Sequence, residues 1–224
     1  MNTTMISHLI KKDWQLNQGP LLAYMSVGIL SLWLLTMGGK YTFLIGSVLL
    51  ITVVVIIGAH MVFSTVVNER KNQTLPFIMS LPVSYQEYTM AKVLSNLLVA
   101  GTAWIILLGT MIGLILTTSA MPNGLIPYAT IIMTYLFDIF ILMLCVAMVS
   151  ESEKICIVVM TVANITISIF MIWLGGHEGI KPFIEGDAAV WNSTALTFIG
   201  LESLFIVFMI GLTFYLQSKK RSFL

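Results

Sequence analysis

Three ionisable side chains lie inside long apolar runs of this chain, where their chemistry would involve protons or cations. They are His60, Asp138 and Glu202. A charged group near the centre of a bilayer costs about 2.5–3.5 kcal/mol even on the lenient scale, so such groups are usually paired or functional. Asp138 is expected either to line a substrate path or to pair with another helix, with Tyr135 and Asn164 as conceivable partners.

The other two groups have simpler interpretations beside the functional one. His60 precedes Ser64 by four residues, one helical turn, and is expected to form an interhelical hydrogen bond or to act on the pathway. Glu202 is expected near the outer end of its run, where it either snorkels to the interface or pairs with a neighbouring helix.

No motif for catalysis or nucleotide binding accompanies these groups. The sequence has no H-E-x-x-H, no G-x-S-x-G and no G-x-x-x-x-G-K-[ST]. Gly38-Gly39-Lys40 lacks the phosphate-loop spacing, and Cys145 and Cys156 lie in apolar runs as packing residues. The chain is therefore expected not to be an enzyme, and to hold no cofactor or metal.

The composition places these groups in a membrane. The chain is 58% hydrophobic and 9% charged, with a mean hydropathy of +0.97, whereas soluble proteins contain about 25% charged residues. The net charge of +1 and the lack of a basic patch argue against nucleic-acid binding. An all-α integral membrane protein in contact with the lipid bilayer is predicted.

Six apolar runs are long enough to cross a bilayer. They are residues 20–37, 43–66, 93–118, 125–149, 155–174 and 196–216. Pro20 and Pro127 are expected at helix starts, where a missing N–H costs little. Before the first run, residues 1–17 are predicted to form an amphipathic interfacial helix, although a frayed polar tail is the simpler alternative. Its apolar positions recur every three to four residues: Met5, Ile6, Leu9, Ile10 and Trp14.

The distribution of positive charge predicts the orientation. If the N-terminus is cytoplasmic, nine Lys and Arg residues lie inside and two outside. Such a bias favours a multi-pass protein of the cell membrane with both termini and the segment 68–92 in the cytoplasm. The inner residues are Lys11, Lys12, Arg70, Lys71, Lys92, Lys154, Lys219, Lys220 and Arg221; the outer ones are Lys40 and Lys181.

The segment 68–92 carries its own start and stop signals. Thr74 is a candidate helix cap, Pro82 ends the short apolar stretch, and Ser84 with Glu87 forms a capping box that starts the third span. A rigid knob presented to a cytoplasmic partner fits these signals, and a re-entrant helix that anchors the third span is the alternative. The outer segment 175–195 is expected to hold short re-entrant or interfacial helices or to be a plain hydrated loop.

The segment resembles the region after the second span of ABC-2 type permeases. The matching residues, in order, are Glu69-Arg70, Thr74-Leu75, Ser80-Leu81-Pro82-Val83-Ser84 and Ala91-Lys92. The six-span layout and the N-terminal helix extend the resemblance over residues 1–224 as a single domain, with spans one and two at 20–66 and spans three to six at 93–216.

The resemblance implies that the segment is a coupling helix seated in a cleft of a separate ATPase subunit, which would bind ATP and Mg. It assigns to that interface Glu69, Arg70, Thr74, Leu75, Phe77, Ile78, Leu81, Pro82 and Tyr85. It also implies export and a second copy or a homologous permease, and short permeases of this kind resemble exporters of antimicrobial or cytolytic peptides.

Two other function classes stay open at this point. A secondary transporter or channel, coupled through Asp138 or His60, would show broken helices or inverted repeats, and neither is visible. A membrane anchor that recruits a cytoplasmic protein is the third class.

Overall fold

The computed structural model describes residues 3–72, 84–150 and 152–219, and six of its helices are long and apolar enough to cross a membrane. The all-α prediction is therefore confirmed. The helices are α1 (Thr3–Leu35), α2 (Lys40–Val62), α3 (Asn68–Lys71), α4 (Tyr85–Thr117), α5 (Leu125–Ser150), α6 (Glu153–Gly176), α7 (Lys181–Ile184) and α8 (Ser193–Ser218). A π-helical turn, Phe63–Val67, joins α2 to α3, so the second apolar helix continues from Lys40 to Lys71.

Helix α1 runs without a break through Pro20, so the prediction that a helix starts at this proline is wrong. The reason is packing: one stripe of α1, with Leu9, Asp13, Asn17 and Leu21, is buried on both sides of the proline, while Pro20 itself is exposed. Tertiary contacts therefore offset the lost hydrogen bond. The predicted N-terminal segment is helical, but it is continuous with the first span.

Short connections fold α1 and α2 against each other. The chain turns at Gly38, whose φ of 70° lies in the left-handed region that favours glycine. A Cβ added at Gly46 would lie 2.9 Å from the Ser31 carbonyl oxygen. Glycine at this position therefore permits the close approach of the two helix backbones.

Helix α5 forms the centre of the bundle. In its most apolar 18-residue window 78% is buried, against 17% for the corresponding windows of α6 and α8. It contacts α2, α4, α6 and α8. Pro127 lies in its first turn, as predicted. A residue on α5 is therefore placed to respond to motion of most other helices.

The predicted capping box at the start of α4 is confirmed. The Ser84 side chain accepts a hydrogen bond from the Glu87 backbone N–H at 3.3 Å, and the Glu87 carboxylate accepts one from the Ser84 N–H at 2.9 Å. These bonds satisfy two donors that a helix N-terminus otherwise leaves free.

The segment 175–195 contains the short helix α7, Lys181–Ile184. Ile180 before it is buried. The Gly124 N–H donates to the Gly186 carbonyl at 2.8 Å, and the Asn192 amide donates to the Gly179 carbonyl at 2.6 Å. These bonds fix the segment over the outer ends of α5 and α8.

Candidate functional site

A buried group of charged residues joins three elements at the end of the bundle predicted to be cytoplasmic. Lys92 of α4 has no exposed side-chain surface, and its Nζ lies 3.0 Å from both carboxylate oxygens of Asp13 and 2.8 Å from Oε1 of Glu69. Lys12 also pairs with Glu69, and the Tyr88 hydroxyl donates to Glu69 Oε2 at 3.2 Å. We call these five residues, Lys12, Asp13, Glu69, Tyr88 and Lys92, the basal cluster.

The basal cluster balances two cations with two carboxylates. Taking charges out of water costs several kcal/mol per ion, and pairing with good geometry offsets this cost. Every charged member has an opposite partner within about 4 Å. The basal cluster can therefore be buried while all four charges are present. Loss of one charged residue leaves its partners without a counter-charge.

The basal cluster also defines how the segment 68–92 is attached. Glu69 precedes residues 73–83 and Lys92 follows them, and Lys92 bridges Glu69 to Asp13 of α1. Movement of the segment is thereby tied to the first helix.

Arg70 connects the same segment to the central helix. Its guanidinium donates to the carbonyl of Ala147 at 2.6 Å and to that of Met148 at 3.1 Å. These are among the last carbonyls of α5, which lack partners within the helix and carry the negative end of its dipole. The Gln217 amide of α8 donates to the same Met148 carbonyl. Next to Arg70, Lys71 pairs with Glu153 of α6 at 2.9 Å.

Glu69 and Arg70 were predicted to contact a partner subunit directly. The structure gives both side chains partners within the chain, with Glu69 buried. Glu69 and Arg70 are therefore placed to hold the start of the segment 68–92 against the rest of the bundle. The remaining predicted interface residues Thr74, Leu75, Phe77, Ile78, Leu81 and Pro82 lie outside the described residues. Tyr85 opens α4.

His60 forms the interhelical hydrogen bonds expected of it. Its Nε2 lies 3.1 Å from the Asn17 side-chain oxygen, which also accepts from the Ser64 hydroxyl at 2.6 Å. Its Nδ1 lies 3.4 Å from the Tyr24 hydroxyl. These hydrogen bonds link α2 to α1 about one helical turn farther into the bundle than the basal cluster.

The π-helical turn lies between these two polar layers. The Asn96 amide of α4 donates to the Thr65 hydroxyl at 2.8 Å, and Thr65 donates to the Met61 carbonyl at 2.6 Å. A π-turn within an α-helix commonly marks a functional position. The turn lets the helix that ends at Lys71 change register where it meets α4.

Asp138 and Glu202 form a second candidate site, deep in the bundle. They are 6% and 7% exposed and close enough for the charge of Asp138 to act on Glu202. Of the two predicted partners of Asp138, Tyr135 donates to Thr166 instead, at 2.9 Å, and Asn164 lines a different cavity between α2 and α6. Snorkelling of Glu202 is likewise wrong, because its side chain points into the protein.

Asp138 lines a cavity of about 500 Å³ between α5, α6 and α8. The walls are mainly apolar and include Ile139, Leu142, Val159, Val162 and Phe205. Among the described residues, no group of three or more His, Cys, Asp or Glu side chains is arranged to hold a metal ion.

The sequence carries a signal for the role of Asp13 but none for the pair of Asp138 and Glu202. Asp13 falls on the apolar face of the N-terminal helix, at helical spacing from Leu9 and Asn17, and a charge on that face needs a buried partner. Asp138 and Glu202 are 64 positions apart in the sequence. No local pattern identifies such a pair.

Comparison with known proteins gives one match. A family model described as ABC-2 family transporter protein matches residues 8–220. No curated protein and no solved structure matches the chain.

Proposed function

The chain belongs to the ABC-2 transporter family as a multi-pass membrane permease, and we propose that it forms half of the membrane unit of an ATP-driven exporter. A second copy, or a homologous permease, would supply the other half. Membrane subunits of this family are not themselves catalytic, so a separate ATPase subunit would bind ATP and Mg and hydrolyse the nucleotide.

The observation that carries the proposal is the attachment of the segment 68–92. A loop that moves a membrane domain must transmit force at both of its ends. Lys92 binds both Glu69 and Asp13, and Arg70 donates to the last carbonyls of α5. Residues 73–83 would carry the apolar contacts with the ATPase, since a hydrophobic anchor in a pocket is the usual interface hot spot.

The contacts of Arg70 suggest a route for the movement. Displacement of the segment on ATP binding would pull on the carbonyl end of α5, and Gln217 would carry part of the displacement to α8. Asp138 lies on α5 about halfway along its length. The cavity beside Asp138 would then change shape as the two halves move.

The proposed cargo is apolar or amphipathic, such as an antimicrobial or cytolytic peptide. Support comes from the apolar walls of the cavity at Asp138 and from its position on the less buried side of the bundle, between α6 and α8. A cargo already dissolved in the bilayer would reach it sideways.

Docking is tested by changing the apolar residues of the segment. Phe77→Ser with Ile78→Ser should reduce co-purification of the ATPase with the chain from its native membranes, together with cargo-stimulated ATP hydrolysis. Removing one good hot-spot anchor costs about 2 kcal/mol or more, which is more than tenfold in affinity.

The matched control is Tyr41→Ser with Leu44→Ser, two exposed apolar residues near the opposite end of α2. This variant should retain the ATPase. Wild-type assembly and turnover in the Phe77/Ile78 variant would rule out the docking role.

A further inference from the structure

The cavity between α5, α6 and α8 has a carboxyl group in its lining that is not fully hydrogen-bonded. Oδ1 of Asp138 is buried without a hydrogen-bond partner, and so are both carboxylate oxygens of Glu202. Asp138 is itself one of the residues that line the cavity. Buried carboxyl groups without partners are unusual, because their desolvation is not compensated.

The other polar groups of the lining are already engaged. The Tyr135 hydroxyl donates to Thr166 at 2.9 Å, and the Thr166 hydroxyl donates to the Ala163 carbonyl at 2.7 Å. This chain of bonds ends within the protein. Asp138 is therefore the lining group that remains available to a ligand.

The charge of the site favours a cation. Two carboxyl groups close enough to interact lie in an interior of low dielectric constant, where an opposite charge is attracted far more strongly than in water. Among the described residues, no Lys, Arg or His forms an ion pair with either carboxyl group. Charge balance must come from protons or from a bound cation.

The shape of the site favours a cation with an apolar body. Ile139, Leu142 and Phe205 form walls around the carboxyl group. Val158 and Val162 at the edge are more than half exposed on the outer face of α6. An amphipathic molecule could enter from the bilayer with its apolar part along the walls and its cationic group at Asp138.

We propose that this cavity binds the protonated amine of an amphipathic cation, with Asp138 as the direct partner. The inference rests on the proposed transport function, for which it names the cargo class: amphiphiles that carry a primary amine. Recognition would combine one buried ion pair with apolar contact.

The test compares octylamine with octanol, which has the same apolar chain but no charge. Binding is measured by isothermal titration calorimetry on the purified full chain in nanodiscs of zwitterionic lipid, with empty nanodiscs subtracted. The amine should bind the wild type about tenfold or more tightly than the alcohol, because truncating one partner of a buried charge pair has effects of this size.

Asp138→Asn should abolish the preference for the amine while leaving octanol binding unchanged, which also reports that the cavity is intact. Glu185→Gln, the same chemical change at an exposed carboxylate of the outer segment, should keep the preference at the wild-type level.

Equal binding of amine and alcohol to the wild type, or an unchanged preference in Asp138→Asn, would overturn the inference. The assay contains neither ATPase nor nucleotide. A negative result therefore leaves ATPase docking untouched, and loss of docking in the Phe77/Ile78 variant leaves the amine preference untouched.

Discussion

Lys92 shows how strongly a single residue can depend on its partners. Its ammonium group is fully buried between Asp13 and Glu69, which belong to two other elements. In the interior, breaking such a set costs more than forming it contributes, because the remaining carboxylates lose their counter-charge without regaining water.

We expect Lys92→Met to destabilise the purified chain by about 3–5 kcal/mol, the usual cost of removing one partner of a buried pair. Unfolding by SDS, followed by circular dichroism, measures this change. Met keeps the length and apolar volume of the Lys stem, so the difference reports the charge.

Lys71→Met is the matched control. Lys71 and Glu153 are 58% and 39% exposed, so loss of their pair should cost at most about 1 kcal/mol. Adding Asp13→Asn to Lys92→Met should recover part of the loss, since Lys12 still pairs with Glu69. If Lys92→Met costs no more than Lys71→Met, the basal cluster is not the stabilising unit described.

The same residue illustrates what the sequence could indicate. In the sequence, Lys92 contributes to the positive charge that predicts orientation and to the Ala91-Lys92 match with the permease family. Its burial depends on Asp13, 79 positions away, so it follows from packing. By contrast, the capping box at Ser84 and Glu87 was predicted because its partners are three residues apart.

At the scale of elements, helix ends hold the bundle together at its predicted cytoplasmic side. The last carbonyls of α5 are satisfied by side chains of α8 and of the short helix α3 that follows the π-turn. Helix existence was predicted for all six spans, but the boundaries of α1 and of the Lys40–Lys71 helix depended on burial and on the π-turn. Neither is visible in local periodicity.

We expect Arg70→Lys to loosen the last turn of α5. Lysine keeps the charge but cannot donate to two carbonyls in the planar fork of a guanidinium. Loss of about 1 kcal/mol of hydrogen bonding corresponds to about fivefold faster opening. Hydrogen exchange followed by mass spectrometry should show faster exchange near residues 145–150 and no change near 125–138.

Lys71→Gln, at the next position, should leave exchange in α5 unchanged because Lys71 contacts α6 instead. Equal acceleration over the whole of α5 would mean that Arg70 supports the global fold and not this helix end.

At the scale of the molecule, the basal cluster, the central helix and the cavity form one connected series. The segment 68–92 contacts α1 and the end of α5, and α5 carries Asp138 into the cavity beside α8. Helix α1, about 50 Å long at 1.5 Å per residue, exceeds the hydrocarbon thickness of about 30 Å. Its first turns therefore extend beyond the hydrocarbon core at the end where the basal cluster lies.

The proposed docking makes the orientation of the bundle decisive, because an ATPase could reach the segment 68–92 only from the cytoplasm. The nine-to-two distribution of Lys and Arg predicts this side. Single cysteines at exposed positions can test it in a chain whose buried Cys145 and Cys156 are replaced by Ala. The chosen positions, Asn72, Ser218, Glu185 and Asp187, are exposed and change no Lys or Arg.

In intact cells, a membrane-impermeant maleimide should label Glu185→Cys and Asp187→Cys but not Asn72→Cys or Ser218→Cys. After permeabilisation all four should react. Labelling of Asn72→Cys in intact cells would place the basal cluster outside, where no ATPase is available. The charge bias of Arg70, Lys71 and Lys92 opposes that orientation, because Lys and Arg next to the spans are retained on the cytoplasmic side. The positive charges that hold the segment to the bundle would thus also fix the side from which it is driven.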